Sequence, residues 1–288
     1  MTLPRTDTVV TYAAGELVAE ARVVHVESLD DGRVAVLLDR TCCHPVDAGW
    51  PDQGPDRATL DAGDISAEVL DCVVAATDGE SLYLGADIPV RKGTEGWAFV
   101  VAHLVDADAT LTEGDGVTVV VDAAHRAALS AGHTACHLAA LALNAALAYA
   151  WTKEPRRDSL GAPDFDGVAN ETSTITPHGA VDTYRIGKSA RKAGFDPAAL
   201  EEPDAVAARA NAVLAGWVAA GGAVRIEREG DGLTARRSWV AELPEGTARM
   251  FCGGTHVGSV AELGAVTVAL RTEQTEGAVV LTMETRVG

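Results

Sequence analysis

The first 121 residues alternate short apolar runs with turns rich in Gly and Asp. Segments 33–38 and 117–121 have the β-branched content and partial alternation that are typical of strands. Asp30-Asp31-Gly32 precedes the first of these segments and follows another strand-like segment, as a hairpin turn would. Short strands at regular spacing predict a small β-barrel-like or sandwich domain over residues 1–121.

From residue 122 onward, helical periods are mixed with strands. Asp122 is a suitable N-cap for a helix over 123–151, in which Gly132 is a candidate interruption. Apolar side chains recur at helical spacing over 204–220, whereas the polar stretch 153–180 predicts a long connection. Residues 265–285 read as a terminal hairpin. These patterns predict a second, α+β two-layer domain over 122–288.

Two short motifs in this second domain offer metal ligands. His133-Thr-Ala-Cys-His137 places two imidazoles four residues apart, on one face of the predicted helix. Cys252-Gly-Gly-Thr-His256 belongs to a tight turn because of its two glycines. Together the motifs supply three imidazoles and one thiolate, a set that suits zinc. From these residues alone, a bound metal and ordinary packed side chains remain equal alternatives, and Cys136 is either a core thiol or a competing ligand.

Five further histidines are not assigned to the metal. His25 and His103 lie in strand-like segments and are expected to be packed, whereas His44 lies in a turn-rich segment and is expected to be exposed. His125 and His178 are also excluded.

The charge of the chain limits its partners. A formal net charge of −19 disfavours polyanions, because affinity for nucleic acids comes largely from Lys and Arg contacts to phosphates. One basic cluster, read either as a solvated face or as a phosphate contact, comprises Arg185, Lys188, Arg191 and Lys192. DNA is not expected as a partner. We expect no membrane span and no signal peptide, and we expect the five cysteines to be reduced thiols of a cytoplasmic protein.

Several motifs resemble one known family. Val121-Asp-Ala-Ala-His-Arg, the His133 motif and Cys252-Gly-Gly-Thr-His256-Val look like the editing domain of alanyl-tRNA synthetases and its free-standing relatives, the AlaX proteins. Nearly the whole chain follows the order of elements in that family. The segment from His44 to Gln53 takes the place of the family's Gly-rich loop but contains Trp50-Pro51-Asp52 instead.

The resemblance implies a zinc-dependent hydrolase that removes Ser or Gly from mischarged alanine tRNA. It implies zinc ligands at His133, His137, Cys252 and His256. At 288 residues the chain is too short to hold an aminoacylation domain as well, so the implied activity acts in trans. Zinc would lower the pKa of a bound water and polarise the ester carbonyl. Thr255 and Gln53 are the candidate catalytic side chains, and the basic cluster is the candidate tRNA contact.

Two other functions stay open at this level. The first is zinc-dependent hydrolysis of a small aminoacyl ester or amide without tRNA, which the acidity and the altered loop favour. The second is a non-catalytic binding module, because four protein ligands are typical of structural zinc.

Overall fold

The computed structural model describes residues 3–288, which form a strand-rich mixed α/β fold. By its internal packing the chain divides into two units. Unit 1 contains the residues up to Arg126 together with Arg228–Arg237 and Gly253–Thr255. Unit 2 contains Ala127–Glu227, Ser238–Cys252 and His256–Gly288. The division into domains at residues 121 and 122 stays a prediction.

Unit 1 is built on one large sheet. Its strands are β1 Val9–Val10, β2 Val18–Ser28, β3 Arg33–Leu38, β4 Arg40–Thr41, β5 Ala58–Ala62, β6 Ile65–Val69, β7 Asp71–Thr77, β8 Leu82–Leu84, β9 Ala98–Asp106 and β10 Gly116–Val121. Eight of them follow the order β6-β5-β10-β2-β3-β9-β7-β8, and β1 pairs with β4 in parallel. The hairpin predicted at Asp30-Asp31-Gly32 is confirmed, since β2 and β3 are antiparallel neighbours.

The barrel-like prediction for this region needs correction, because residues 3–288 contain no closed barrel. The sheet is open, and apolar side chains cover both of its faces. In β9, Phe99, Val101 and Val105 enter one cluster, whereas Val100, Ala102 and Leu104 enter another. A strand buried on both faces reads as a continuous apolar run, and alternation alone does not reveal its pairing partners.

The first helix, α1, spans Ala123–Ala146 and is continuous through Gly132, so the candidate interruption is wrong. The predicted N-cap is confirmed, since the Asp122 carboxylate accepts hydrogen bonds from the backbone N–H groups of Ala124 and His125. Gly132 serves close packing rather than a break. A Cβ at this position would lie 2.5 Å from the carbonyl oxygen of Gly179.

The elements after α1 are α2 Phe165–Ala169, β11 Asn170–Thr176, β12 Gly179–Ile186, α3 Lys188–Ala193, α4 Pro203–Ala220, β13 Val224–Arg228, β14 Arg237–Leu243, β15 Gly246–Phe251, β16 Val266–Thr275 and β17 Ala278–Val287. They form a four-stranded sheet, β11-β12-β17-β16, and a three-stranded sheet, β13-β14-β15. The predicted terminal hairpin and the helix predicted over 204–220 are confirmed by the β16–β17 pair and by α4. The connection predicted over 153–180 is wrong in part, because it contains α2 and β11.

The core of unit 2 lies around α1 and α4. Buried side chains of α4, including Val206, Ala210, Leu214 and Trp217, join a cluster with apolar residues of α1 and both sheets. Asn211 fixes α4 to β16 through two hydrogen bonds to the backbone of Val268, of 3.0 and 2.7 Å. No helix within residues 3–288 combines the length and apolar character needed to span a bilayer.

Candidate metal centre

The structure brings the two predicted ligand motifs together in unit 2. His133, His137, Cys252 and His256 each offer one ligand atom, and these four atoms lie within 4.8 Å of one another. The helical spacing of α1 places both of its histidines on one face, with ring centroids 4.8 Å apart. The other two candidate ligands, Cys252 and His256, come from the turn after β15. Cys252 lies 119 residues after His133 in the chain. Nitrogen and sulfur donors in such a group suit zinc.

The Cys252 thiol lies close to two of the histidines in the donor group. Its Sγ is 3.4 Å from His133 Nε2 and 3.2 Å from His256 Nε2. The side chain is buried, with 8% of its surface exposed. Burial by itself would raise the pKa of this thiol. Favourable interactions with the imidazoles of His133, His256 and His137 together outweigh burial, and they hold the pKa of Cys252 well below its ordinary value.

Thr134 orients the imidazole of His256. The Thr134 hydroxyl donates to the carbonyl oxygen of Ser130 at 2.9 Å, so its oxygen is left to accept from His256 Nδ1 at 3.1 Å. This assigns the hydrogen of His256 to Nδ1 and leaves a lone pair on Nε2, which faces Cys252. Burial lowers the pKa of His256 to about 3, which keeps the ring neutral as metal binding requires.

His137 carries the observation that tests whether a metal fits. Its Nε2 atom is buried and has no hydrogen-bond partner among the described residues. A buried nitrogen without a partner costs about 1–3 kcal/mol, so this atom is expected to have a ligand. The ring packs 5.0 Å from that of Trp239, a fully buried residue that fixes its position. The donor set and this nitrogen therefore fit a zinc ion.

A buried carboxylate, Asp182, and a half-buried one, Asp166, accompany the cluster in unit 2. Asp182 of β12 accepts hydrogen bonds from Ser173 Oγ at 2.5 Å and from Cys136 Sγ at 3.4 Å. Asp166 of α2 accepts from the Tyr184 hydroxyl at 3.2 Å. Burial raises the pKa of Asp182, and burial together with the charges of Asp182 and Asp164 raises the pKa of Asp166 to about 6.

These carboxylates were missed at the sequence level, although one signal was present. Asp182 falls in phase with the buried Ala180, Tyr184 and Ile186 along β12, and a charged residue at a core position indicates a special role. Cys136, which was either core or a competing ligand, is buried and donates to Asp182. It is absent from the donor group around Cys252.

The two predicted catalytic side chains pair with each other in unit 1. Gln53 Nε2 donates to Thr255 Oγ1 at 2.9 Å, and the Thr255 backbone N–H donates to Gln53 Oε1 at 3.0 Å. Both residues are at least 97% buried, which gives this amide clamp a fixed geometry. In the chain, Thr255 directly precedes His256. Their catalytic roles stay a prediction.

The basic cluster lies on the surface of unit 2. Arg185 is on β12, 3.9 Å from Glu171, and the other three cations are on the short helix α3. All four side chains are exposed. His44, expected to be exposed, is instead buried in unit 1 with its ring edge-on to Tyr12 at 5.0 Å. His25 and His103 are packed, as predicted.

The chain is similar in sequence to a known tRNA ligase. No protein-family model matches the chain. The chain is similar to the alanine–tRNA ligase of Gluconobacter oxydans (strain 621H), with 27% identity over 237 residues. The match covers 81% of this chain but 23% of the ligase, so the chain spans less than a quarter of that relative's length. The similarity relates the chain to the alanyl-tRNA synthetase family.

Proposed function

We propose that this chain is a zinc-dependent hydrolase of the AlaX type, which removes Ser or Gly from mischarged alanine tRNA in trans. The observation that carries the proposal is the convergence of His133, His137, Cys252 and His256 from two distant segments. Similarity to an alanine–tRNA ligase supports a tRNA-linked substrate. An aminoacyl ester is intrinsically labile, so modest activation of water and of the carbonyl is sufficient for rapid hydrolysis.

The residues of unit 2 would have separate roles in this reaction. The three imidazoles and the Cys252 thiolate would hold zinc, which supplies a polarising charge and lowers the pKa of water when bound. Thr134 keeps the His256 ring in the tautomer that presents Nε2. Asp182 and Asp166 place negative charge near His137, where it would attract the α-ammonium group of an aminoacyl ester.

Recognition of tRNA is assigned to the exposed cations of β12 and α3. Lys188 and Arg191 are exposed on one short helix, and phosphate contacts of this kind weaken steeply as salt increases. A net charge of −19 would repel the rest of the polyanion. This favours one alternative, hydrolysis of a small aminoacyl ester without tRNA.

The test is a deacylation assay with the chain alone. Ser-, Gly- and Ala-charged alanine tRNA are incubated with zinc-loaded protein and with the double variant His133→Ala, His137→Ala. We expect hydrolysis of the Ser and Gly esters, sparing of the Ala ester, and no activity in the variant. His178→Asn is the matched control, because His178 is exposed in a turn with a φ of 58°, which Asn tolerates.

Two further outcomes separate the alternative functions, and a third tests the proposed tRNA surface. Hydrolysis of seryl or glycyl methyl esters without hydrolysis of charged tRNA supports the small-molecule hydrolase. Bound zinc without hydrolysis of either substrate supports the binding module. If Lys188→Glu, Arg191→Glu weakens tRNA binding no more than the exposed pair Arg271→Glu, Arg286→Glu, the assignment of the tRNA surface is wrong.

A further inference from the structure

A second group of soft donors lies in unit 1. Cys43, Cys72 and His103 are each fully buried, and one ligand atom from each lies within 4.8 Å of the others. They come from the connection after β4, from β7 and from β9. Cys72 and His103 are direct partners in the antiparallel pairing of β7 with β9, so their side chains point to the same face of the sheet.

The hydrogen bonds of His103 leave one nitrogen able to bind a metal. His103 Nδ1 lies 3.2 Å from the carbonyl oxygen of Val36, which can only accept, so the hydrogen of the ring is on Nδ1. Nε2 therefore has a lone pair, which accepts a hydrogen bond from the Thr41 hydroxyl at 2.9 Å, and a metal at Nε2 would take the place of that hydrogen. Histidines that bind metals are usually held by such a bond from the opposite ring nitrogen to a backbone carbonyl. Burial also keeps the ring neutral by lowering its pKa to about 4.

The segment that carries Cys43 is held rigidly. The Cys43 backbone N–H donates to Thr41 Oγ1 at 3.0 Å, so one hydroxyl contacts both the cysteine and the histidine. Arg126 donates to the carbonyl oxygen of Cys42 at 2.7 Å and forms a buried ion pair with Asp56. Asp56 in turn accepts from the backbone N–H of His44 at 2.5 Å. Positions on both sides of Cys43 are thus fixed, which preorganises the donor group.

We propose that Cys43, Cys72 and His103 form a second metal site that takes a zinc ion, with Thr41 Oγ1 as the available fourth donor. Two thiolates and one imidazole select thiophilic ions over Mg²⁺ and Ca²⁺. Charge balance favours a divalent ion. On binding, the two S–H bonds break, two metal–sulfur bonds form and two protons leave to solvent, so the buried site carries no net charge. A monovalent copper ion with both thiolates would leave one negative charge in the core, which is costly.

This site is independent of the proposed hydrolysis, and its test counts metal ions. The full chain is purified from zinc-supplemented cells, and zinc per chain is measured by elemental analysis. We expect two ions in the wild type and one in the double variant His133→Ala, His137→Ala. That variant leaves every residue of unit 1 unchanged, so it decides the question even if Cys43→Ala, Cys72→Ala fails to fold.

Cobalt substitution identifies the ligands of the remaining ion. The intensity of thiolate-to-cobalt charge transfer counts the thiolates, which are Cys43, Cys72 and Cys252 in the wild type. We expect the intensity of two thiolates in the His133→Ala, His137→Ala variant and of one in the Cys43→Ala, Cys72→Ala variant. Loss of all bound metal in the first variant overturns the proposal, and so does a Cys43–Cys72 disulfide in the purified protein. Two zinc ions in a hydrolytically inactive chain would support this site and contradict the proposed function.

Discussion

The two cysteine–histidine clusters use the same residue types in opposite electrostatic settings. In unit 2, three imidazoles surround the thiol of Cys252 and hold its pKa well below the ordinary value. In unit 1, burial and the neighbouring thiol of Cys43 raise the pKa of Cys72 well above that value. Both thiols are buried, so burial does not explain the difference. The imidazoles beside Cys252 lower its pKa, whereas the thiol and carboxylates beside Cys72 add to the effect of burial.

The clusters also differ in how far solvent reaches them. Cys43, Cys72 and His103 have no exposed surface, whereas His137 and His256 are half-buried. A substrate needs access to a reactive centre, and a structural ion does not. The comparison therefore suggests one cluster for chemistry and one for stability, and each prediction below can break or sharpen this division.

The largest effect is expected for Cys252→Ala. Loss of an outer partner of a metal site alone costs about 10–100-fold in metal affinity or activity. Removal of a ligand should therefore lower kcat/KM for seryl-tRNA deacylation by more than about 100-fold. The control is Cys42→Ala, which removes an equally buried thiol that lies outside both donor groups. A comparable loss in the control would show that activity follows general core packing and not the Cys252 cluster.

Arg126→Leu tests the support of the second cluster. Arg126 and Asp56 form an ion pair with 5% and 2% of their surfaces exposed, and removal of one partner of such a pair costs about 3–5 kcal/mol. We expect this decrease in the free energy of unfolding, measured by urea denaturation, together with loss of zinc from the second cluster. Arg33→Leu breaks the exposed pair with Asp31 and should cost less than about 1 kcal/mol. Equal decreases in the free energy of unfolding in the two variants would show that Arg126 does not hold the segment of Cys43 in place.

The two clusters also differ in how far their residues could be predicted. The spacing of His133 and His137 predicts their common helix face, and the glycines after Cys252 predict a turn. The expectation that the two motifs together hold a metal came from the family resemblance. Cys43, Cys72 and His103 are brought together by the register of β7 with β9. Local patterns do not specify which strands pair, and the same limit explains why a barrel was predicted where the sheet is open.

Gly132 illustrates a different limit. Its lack of a side chain suggested a break in the helix, whereas the structure uses it for close approach of α1 to the turn between β11 and β12. Propensity describes the helix alone, and packing against a neighbouring backbone overrides it.

The substitution Gly132→Ala tests whether Gly132 is needed for close packing. The new methyl group would collide with backbone atoms of Thr176 and Gly179, and overpacking of this kind costs about 1–3 kcal/mol. Because His133 is the next residue, zinc occupancy should fall at the first cluster and stay unchanged at the second. Gly216→Ala in α4 is the matched control, since a Cβ there meets nothing within 4 Å. Gly216→Ala should stabilise the protein by about 0.5–1 kcal/mol. Stabilisation by both substitutions would contradict the packing role of Gly132.

The smallest predicted effect concerns Asp166, the half-buried carboxylate near the first cluster. Asp166 has its pKa raised from 3.8 to about 6, so the folded state holds this proton to higher pH than the unfolded state does. Stability from this group is therefore present below about pH 4 and is lost as the pH rises through about 6. Asp166→Asn cannot ionise, and its amide oxygen can still accept from Tyr184. Solvent screens part of this interaction because the carboxyl is half-buried, so we expect the variant to raise the free energy of unfolding by about 1–2 kcal/mol near pH 7.5, less than the full shift would give, and to change it little near pH 4.

Urea denaturation at both pH values measures this difference, with Glu276→Gln in the exposed turn between β16 and β17 as the control. A gain that is equal at the two pH values would show that ionisation of Asp166 does not cause it. If the variant is more stable at neutral pH but binds aminoacyl esters more weakly, the Asp166 carboxylate destabilises the fold and contributes to substrate binding. Only the unit 2 cluster would then carry such a cost, because a divalent ion would balance the two thiolate charges of Cys43 and Cys72.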